Sequence, residues 1–408
     1  MTTVEEIRSQ FPQLKEEVYG KPLVYLDNAA TSLRPFSVIR KWDEMSSRLS
    51  ANLHRAVHAV ANRATEEFES ARLSAAEFIG ASGADEIVFT SGTTQGLNLV
   101  AFSLGEMKGF LNEGDEIIIG EAEHHSNILP WQFLAQRKGL KIKVLPINDK
   151  GELRLEELPG LLGRKTKICC IAQVSNVLGV VNPVSEIAAL CHEKACLLVV
   201  DGAQGVVHCK TDVSALGADF YVFSGHKLYA APGTGVLWGR GKLLEQMPPY
   251  MGGGEMIDTV QWSGSTFAPV PRKFEAGTQN MAGVPTLKPA FEFAREVAQL
   301  SETEKIIAYM QEALLKIGGL RLYGVPDDPA RKIPLFSFTV EGAHHEDMAL
   351  ILDKMGIAVR SGQMCAEPLM DRFGVSGMLR ASFAPYNTLG EAEYFVECLK
   401  RAVRMLKA

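Results

Sequence analysis

Residues 185–201 read SEIAALCHEKACLLVVD. Residues 185–195 place Ile187, Leu190 and Cys191 at i, i+3 and i+4, one face of an amphipathic helix, and residues 196–201 are an apolar run closed by an aspartate. A helix that feeds straight into a buried strand is the return arm of a βαβ crossover, the connection that joins parallel strands. Similar runs recur at LVYLD (23–27), EIVFT (86–90), DEIIIG (115–120), KIKVLPI (141–147), KICCIAQV (167–174) and DFYVFS (219–224), all read as buried strands with helical stretches between most of them. Together they predict an α/β fold with a mostly parallel central sheet covered on both faces. In such sheets ligands gather beyond the carboxyl ends of the strands, so the residues that follow each run carry the functional reading.

Near residue 300 the pattern changes to a helix-dominated tail, opened by a capping box at Ser301-Glu-Thr-Glu304 and a helix stop at Gly318-Gly319. Two lobes are expected. The chain of 408 residues, 46% hydrophobic and 22% charged, is globular in composition, which excludes a disordered, collagenous or coiled-coil protein. With 42 basic against 48 acidic residues, a net charge of -6, it has no overall positive field to attract nucleic acid or anionic lipid. Its start, MTTVEEIR, lacks the features of a signal or transit peptide, and no apolar run is long enough to cross a bilayer. The seven cysteines are scattered without a C-x-x-C pair, so a reducing cytoplasm is the expected location.

Lys227, in Ser224-Gly225-His226-Lys227, follows the strand-like DFYVF and precedes a glycine-rich APGTG. It is either a solvated loop lysine or a desolvated amine suited to Schiff-base chemistry. Asp201 closes CLLVVD and is followed by Gly202-Ala203-Gln204; it is either a helix cap or the partner of a protonated pyridine nitrogen, a role that needs the lysine. Thr90-Ser-Gly-Thr-Thr94-Gln-Gly96 is a hydroxyl-rich strand-to-helix turn, a plain N-cap or a phosphate cradle. His124 and His125 lie near the same sheet edge; with no third ligand at metal spacing they suit a stacked ring or a proton shuttle better than zinc. His344 and His345 are expected in solvent or in small-lobe packing. Cys169, Cys170, Cys191 and Cys196 read as buried hydrophobes, whereas Cys365 sits in a short glycine-containing loop, accessible and near Arg360, a cation that favours a thiolate. Arg380, in a short strand-like LRASF, is either half of a surface ion pair or a bidentate clamp for a carboxylate.

GTTQG, EHHSN, QVSNVLG, VDGAQ, VFSGHKLY, RKFEAGT, VRSGQMCAEPLM and LRASF occur in the order seen in the aminotransferase class V family, over roughly residues 10 to 405. The chain resembles most closely the group II, SUF-type cysteine desulfurases. The resemblance implies a fold type I pyridoxal-phosphate enzyme and a homodimer with a shared active site. It implies a large cofactor domain over 21–296 and a smaller α+β domain from 1–20 and 297–408. Lys227 would hold the cofactor's aldehyde, Asp201 its pyridine nitrogen, and His124 would stack on the ring and help move protons. Gln204 would lie near the phenolic oxygen. Thr93, Thr94, Ser224 and His226 would hold the phosphate with Thr278 of the other subunit. Asn176, Arg360 and Arg380 would grip the substrate. Cys365 would take the sulfur, converting L-cysteine to L-alanine and leaving a persulfide for an acceptor protein of iron-sulfur cluster assembly. A selenocysteine lyase is the alternative the same motifs allow. Group II enzymes commonly carry two histidines just before the cysteine; Gln363 and Met364 stand there in this chain, which lowers the basicity expected around Cys365.

Overall fold

The computed structural model describes residues 3–54, 57–297 and 302–407. Seven strands form the main sheet: β1 (Ile87–Thr90), β2 (Glu116–Gly120), β3 (Lys141–Leu145), β4 (Thr166–Ala172), β5 (Leu197–Asp201), β6 (Phe220–Ser224) and β7 (Gly235–Gly239). Their spatial order is β1-β7-β6-β5-β4-β2-β3. The pairs from β3 across to β6 are parallel, and β7 alone runs against its two neighbours. Strands β4, β5 and β6 are apolar on both faces because helices cover both faces, as a crossover topology requires. One of those helices, α1 (Thr93–Glu106), leaves the end of β1; another, α2 (Val184–Glu193), buries Ile187, Ala188 and Cys191 and returns the chain into β5.

Two readings are corrected and one strand is new. LVYLD does not join the main sheet: Val24–Tyr25 pairs in parallel with Ile357–Ala358, and Val24 and Leu26 sit in the core beneath the C-terminal part of the chain. A local apolar run specifies a strand but not its partner. The 141–147 run is an edge strand in which only Leu145 of Lys141–Leu145 is buried, so its two lysines lie on an uncovered border. Gly235–Gly239, which starts at the last glycine of APGTG and is not among the strand-like runs of the sequence, is a fully buried strand.

Beyond residue 302 the chain carries more β-structure than a helix-dominated reading allows. Strands β8 (Leu320–Tyr323), β9 (Leu335–Val340), β10 (Arg360–Gly362) and β11 (Met378–Ser382) form an antiparallel sheet in the order β8-β9-β11-β10. Helices α3 (Glu302–Leu315), α4 (His345–Asp353) and α5 (Leu389–Lys407) pack on it. Helix α3 forms as expected, but Ser301 of its capping box lies outside the described residues. Cys169, Cys170, Cys191 and Cys196 are buried and Cys365 is exposed.

Candidate active site

Five strands of the main sheet deliver side chains to one place because their carboxyl ends lie side by side. The turn after β1 brings Thr93 and Thr94, the turn after β2 brings His124, and the loop after β4 brings Asn176. Asp201 ends β5, with Gln204 just beyond, and Ser224 ends β6, with His226 and Lys227 just beyond. All line a single cavity of about 380 Å³, and Arg360, Cys365 and Arg380 close it from the four-stranded sheet. Of the residues expected to hold cofactor or substrate, Thr278 is the exception: it is exposed and does not line this cavity.

Asp201 is 5% exposed and accepts a hydrogen bond from the Ala203 amide at 2.9 Å. Burial raises its carboxyl above the usual aspartate range, against the opposing pull of the Lys227 charge. Burial likewise pushes the Lys227 ammonium below the usual lysine range, with Asp201 opposing. Both groups thus move toward neutrality for the same reason, and each is the other's main electrostatic support. Burial lowers His124 to about 4, and the Lys227 charge adds to that. Its Nδ1 accepts from the Ser126 amide at 3.0 Å, so the neutral ring carries its proton on Nε2. His226 is also lowered to about 4, first by burial.

At the other end of the cavity the Ser224 hydroxyl accepts from the Thr93 amide at 2.8 Å and shares a hydrogen bond with the Thr93 hydroxyl at 2.7 Å. Thr94 Oγ1 meets Ser126 Oγ at 2.7 Å. Gly92, the N-cap of α1, has a φ of 151° and supplies no side-chain cap; a Cβ there would lie 3.1 Å from Ser224 Oγ. The result is a close-packed, hydroxyl-lined helix N-terminus, a setting for an anion. A buried amine whose ammonium form burial disfavours, a buried carboxylate and this anion cradle are the donor set that pyridoxal phosphate requires, one for its aldehyde, one for its ring nitrogen and one for its phosphate.

The substrate side is built around a residue the sequence reading passed over. Asp27 pairs with Arg360 Nη2 at 2.9 Å and with Arg380 Nη2 at 3.3 Å. Arg360 is therefore ion-paired with a carboxylate that it shares with Arg380 instead of standing beside Cys365 as an unpaired cation. Arg380 is 3% exposed, donates from Nη1 to the Asn176 carbonyl at 2.8 Å, and has no partner for Nε. Burial lowers it to about 10, and Asp27 opposes the shift. Asp27 had a visible signal, since it closes an apolar run just as Asp201 does. Glu123 was likewise missed: buried between β4 and the histidine turn, it accepts from the Ala172 amide at 2.9 Å and Asn127 Nδ2 at 2.7 Å, and burial raises it to about 8.

The Cys365 loop is held from both sides. Its own carbonyl accepts from the His125 amide at 2.8 Å, His125 Nε2 accepts from the Glu367 amide at 3.1 Å, and the Met364 carbonyl accepts from Asn176 Nδ2 at 2.9 Å. The two adjacent histidines thus divide their tasks, His124 lining the cavity and His125 tying down the cysteine loop. His344 caps α4, and His345 is buried in small-sheet packing. Among the described residues no group of His, Cys, Asp and Glu is arranged to hold a metal ion.

The family model for aminotransferase class V matches residues 24–395. The chain is 45% identical to a cysteine desulfurase of Serratia proteamaculans over 99% of both chains. It is 42% identical to a probable cysteine desulfurase of Vibrio cholerae over the full length of both. Its structure is similar to the crystal structure of the cysteine desulfurase CsdA from Escherichia coli, with a TM-score of 0.91 and 39% identity over 99% of each chain.

Proposed function

The chain belongs to the aminotransferase class V family and is a fold type I, pyridoxal-5'-phosphate-dependent cysteine desulfurase, and from that premise we propose which residues carry the reaction and where the sulfur goes. When bound, the cofactor supplies an aldehyde and an electron-withdrawing ring that makes the substrate's Cα proton removable. Lys227 Nζ would hold the aldehyde and then move the proton at the substrate's Cα, a task favoured by the burial that lowers its ammonium below the usual lysine range. Asp201 would pair with the ring nitrogen, Gln204 would serve the phenolic oxygen, and Thr93, Thr94, Ser224 and His226 would hold the phosphate. His124 would stack on the ring and, with Nδ1 accepting from the Ser126 amide, would present Nε2–H for proton transfer. Arg380, with Asn176 and Arg360 beside it, orients the substrate carboxylate.

Cys365 Sγ attacks the sulfur of the substrate. An S–S bond forms, the substrate's C–S bond breaks with its electron pair remaining on carbon, and protonation of that carbon gives L-alanine. L-cysteine and the Cys365 thiol thus become L-alanine and a Cys365 persulfide with no outside oxidant. The observation that carries this reading is that the Lys227–Asp201 pair and an exposed cysteine line one cavity.

The exposure of Thr278, away from its own cavity, supports a homodimer in which it completes the partner's phosphate site. The exposed but tethered Cys365 supports delivery to an acceptor protein, which we place in iron-sulfur cluster assembly in the cytoplasm. No described helix is long and apolar enough to cross a membrane. The test is alanine release from L-cysteine by cofactor-loaded protein with a reductant present, beside the Cys365→Ala variant. Alanine from the wild type alone, with one extra sulfur on Cys365 by mass spectrometry before reduction, is the expected result; alanine from both would remove Cys365 from the reaction.

A further inference from the structure

The loop that follows β4 is gripped in an unusual way. Three successive carbonyls each accept a hydrogen bond from a buried side chain of the C-terminal part of the chain. The Asn176 carbonyl takes Arg380 Nη1 at 2.8 Å, the Val177 carbonyl takes Ser337 Oγ at 2.5 Å, and the Leu178 carbonyl takes Lys332 Nζ at 2.5 Å. The Gly179 carbonyl accepts from the Ile333 amide at 3.0 Å, and Val180 bridges to Lys332 through the backbone. From the inner side, Ser175 Oγ accepts from the Leu178 amide at 3.1 Å. The loop's orientation is fixed at every peptide.

Lys332 is the costly member of this set. It is 4% exposed, it forms no ion pair among the described residues, and the Phe336 ring, 5.4 Å from Nζ, is the aromatic face nearest to it. Burial alone lowers its ammonium to about 7. A buried cation without a carboxylate is poor material for stability, because an apolar side chain of similar length would avoid the desolvation. Gly179 accommodates it: a Cβ there would lie 3.1 Å from Nζ, at a φ of 63°.

The geometry points to Lys332 as a positioning residue for sulfur transfer, acting through the Leu178 carbonyl on the 175–179 loop, and from Asn176 Nδ2 on the Met364 carbonyl next to Cys365. This rests on the proposed role of Cys365 and deepens it. With the carbonyls held, the Asn176 side chain has one direction left, and the peptide that precedes Cys365 is pinned at 2.9 Å. Releasing Leu178 frees the far end of that lever while leaving Lys227, Asp201 and the phosphate cradle untouched.

The test uses full-length, cofactor-loaded Lys332→Met and Lys332→Arg, with Ser337→Ala as a milder release of the neighbouring carbonyl. Three quantities are read: alanine formation from L-cysteine, alkylation of Cys365 by iodoacetamide, and turnover of 3-chloroalanine, whose chloride leaves without a thiol. Expected for Lys332→Met is an intact cofactor absorption band, a roughly 10- to 100-fold fall in kcat for L-cysteine, an altered alkylation rate, and a much smaller fall in turnover of 3-chloroalanine, whose carboxylate Asn176 also helps to hold. Lys332→Arg restores part of the L-cysteine rate, and Ser337→Ala shows the same pattern more weakly. The inference is overturned if folded Lys332→Met matches wild type on L-cysteine, or if cofactor loading and both substrates decline together. Should Lys332→Met not fold, the same pattern or its absence in Ser337→Ala decides. Failure of wild-type protein to make alanine from L-cysteine would be a separate result, against the desulfurase assignment itself.

Discussion

Arg380→Lys tests whether the substrate carboxylate is read by the free edge of a guanidinium. Arg380 uses Nη1 on the Asn176 carbonyl and makes only a long contact from Nη2 to Asp27, 3.3 Å, while Nε is buried without a partner. Nε and Nη2 share one edge of the planar group and match a carboxylate in a two-point contact. Lysine keeps the charge but offers a single nitrogen at the end of a flexible stem, so one charged hydrogen bond is lost. Such a bond is worth about 1.5–3 kcal/mol, which at about 1.4 kcal/mol per tenfold change predicts a roughly 10- to 150-fold fall in kcat/KM for L-cysteine. Steady-state alanine formation measures this, with KM expected to rise. The control is cysteamine, which is cysteine without its carboxylate, followed by its effect on the cofactor absorption band. Wild type and variant should bind it alike, because the group that Arg380 reads is missing. An equal loss of affinity for cysteamine, or an L-cysteine KM unchanged in Arg380→Lys, would refute the carboxylate clamp.

Cys365→Ala should reduce alanine formation from L-cysteine to background yet leave measurable activity on L-selenocysteine, whose selenium leaves more readily; equal loss on both would contradict the role given to the thiol. Glu275→Gln should destabilise the fold by about 3–5 kcal/mol, the usual cost of removing one partner of a buried ion pair. Its carboxylate meets Arg72 Nη1 at 2.6 Å and Nη2 at 2.9 Å and also accepts from the Phe89 amide at 2.6 Å. A urea midpoint equal to wild type would count against that estimate. His226, lowered to about 4 from an ordinary 6.5, takes up a proton in the unfolded chain before it does so in the fold. Its contribution to stability is therefore lost as pH falls from about 6.5 to about 4, and the melting temperature of His226→Gln should gain on wild type across that window; a gap that widens the other way would reverse the sign.

What could be read from the sequence depended on how local its cause was. Asp201, Lys227 and the Thr93–Thr94 turn were legible because each follows a run buried on both faces, and a doubly covered strand announces its own end. Asp27 closes a similar run, but its meaning lies in Arg380, 353 residues away in sequence, and in Arg360. A comparable separation in sequence hid the pairing of Val24–Tyr25 with Ile357–Ala358. Glu275 was quoted only as part of a motif, yet its buried partner Arg72 is 203 residues distant. Gly235–Gly239 went unrecognised because the glycines that mark a turn also permit close strand packing: a Cβ on Gly235 would come within 2.4 Å of Gly92. Gly235 therefore leaves room for the Gly92 turn at the N-terminus of α1.

The residues before Cys365 show how the structure changes the meaning of a sequence difference. Replacing two histidines by Gln363 and Met364 reads, in sequence, as a loss of nearby base. In the fold Met364 is 9% exposed and packs into the main hydrophobic core, while Gln363 lies outside and reaches toward Glu367 at 3.4 Å. Position 364 is thus an apolar anchor. Both Met364 and Cys365 have positive φ, 50° and 56°, a conformation that costs a residue other than glycine on the order of 1 kcal/mol or more. The anchor and the hydrogen bonds to the Met364 and Cys365 carbonyls hold that conformation in place. A sulfur carried on such a loop has little travel of its own. On the proposed transfer to an acceptor protein, the acceptor's thiol would have to reach the rim of the cavity, where Cys365 is exposed, and His124, lining that cavity, and His125, bonded to the Cys365 carbonyl, are the imidazoles the fold places beside it.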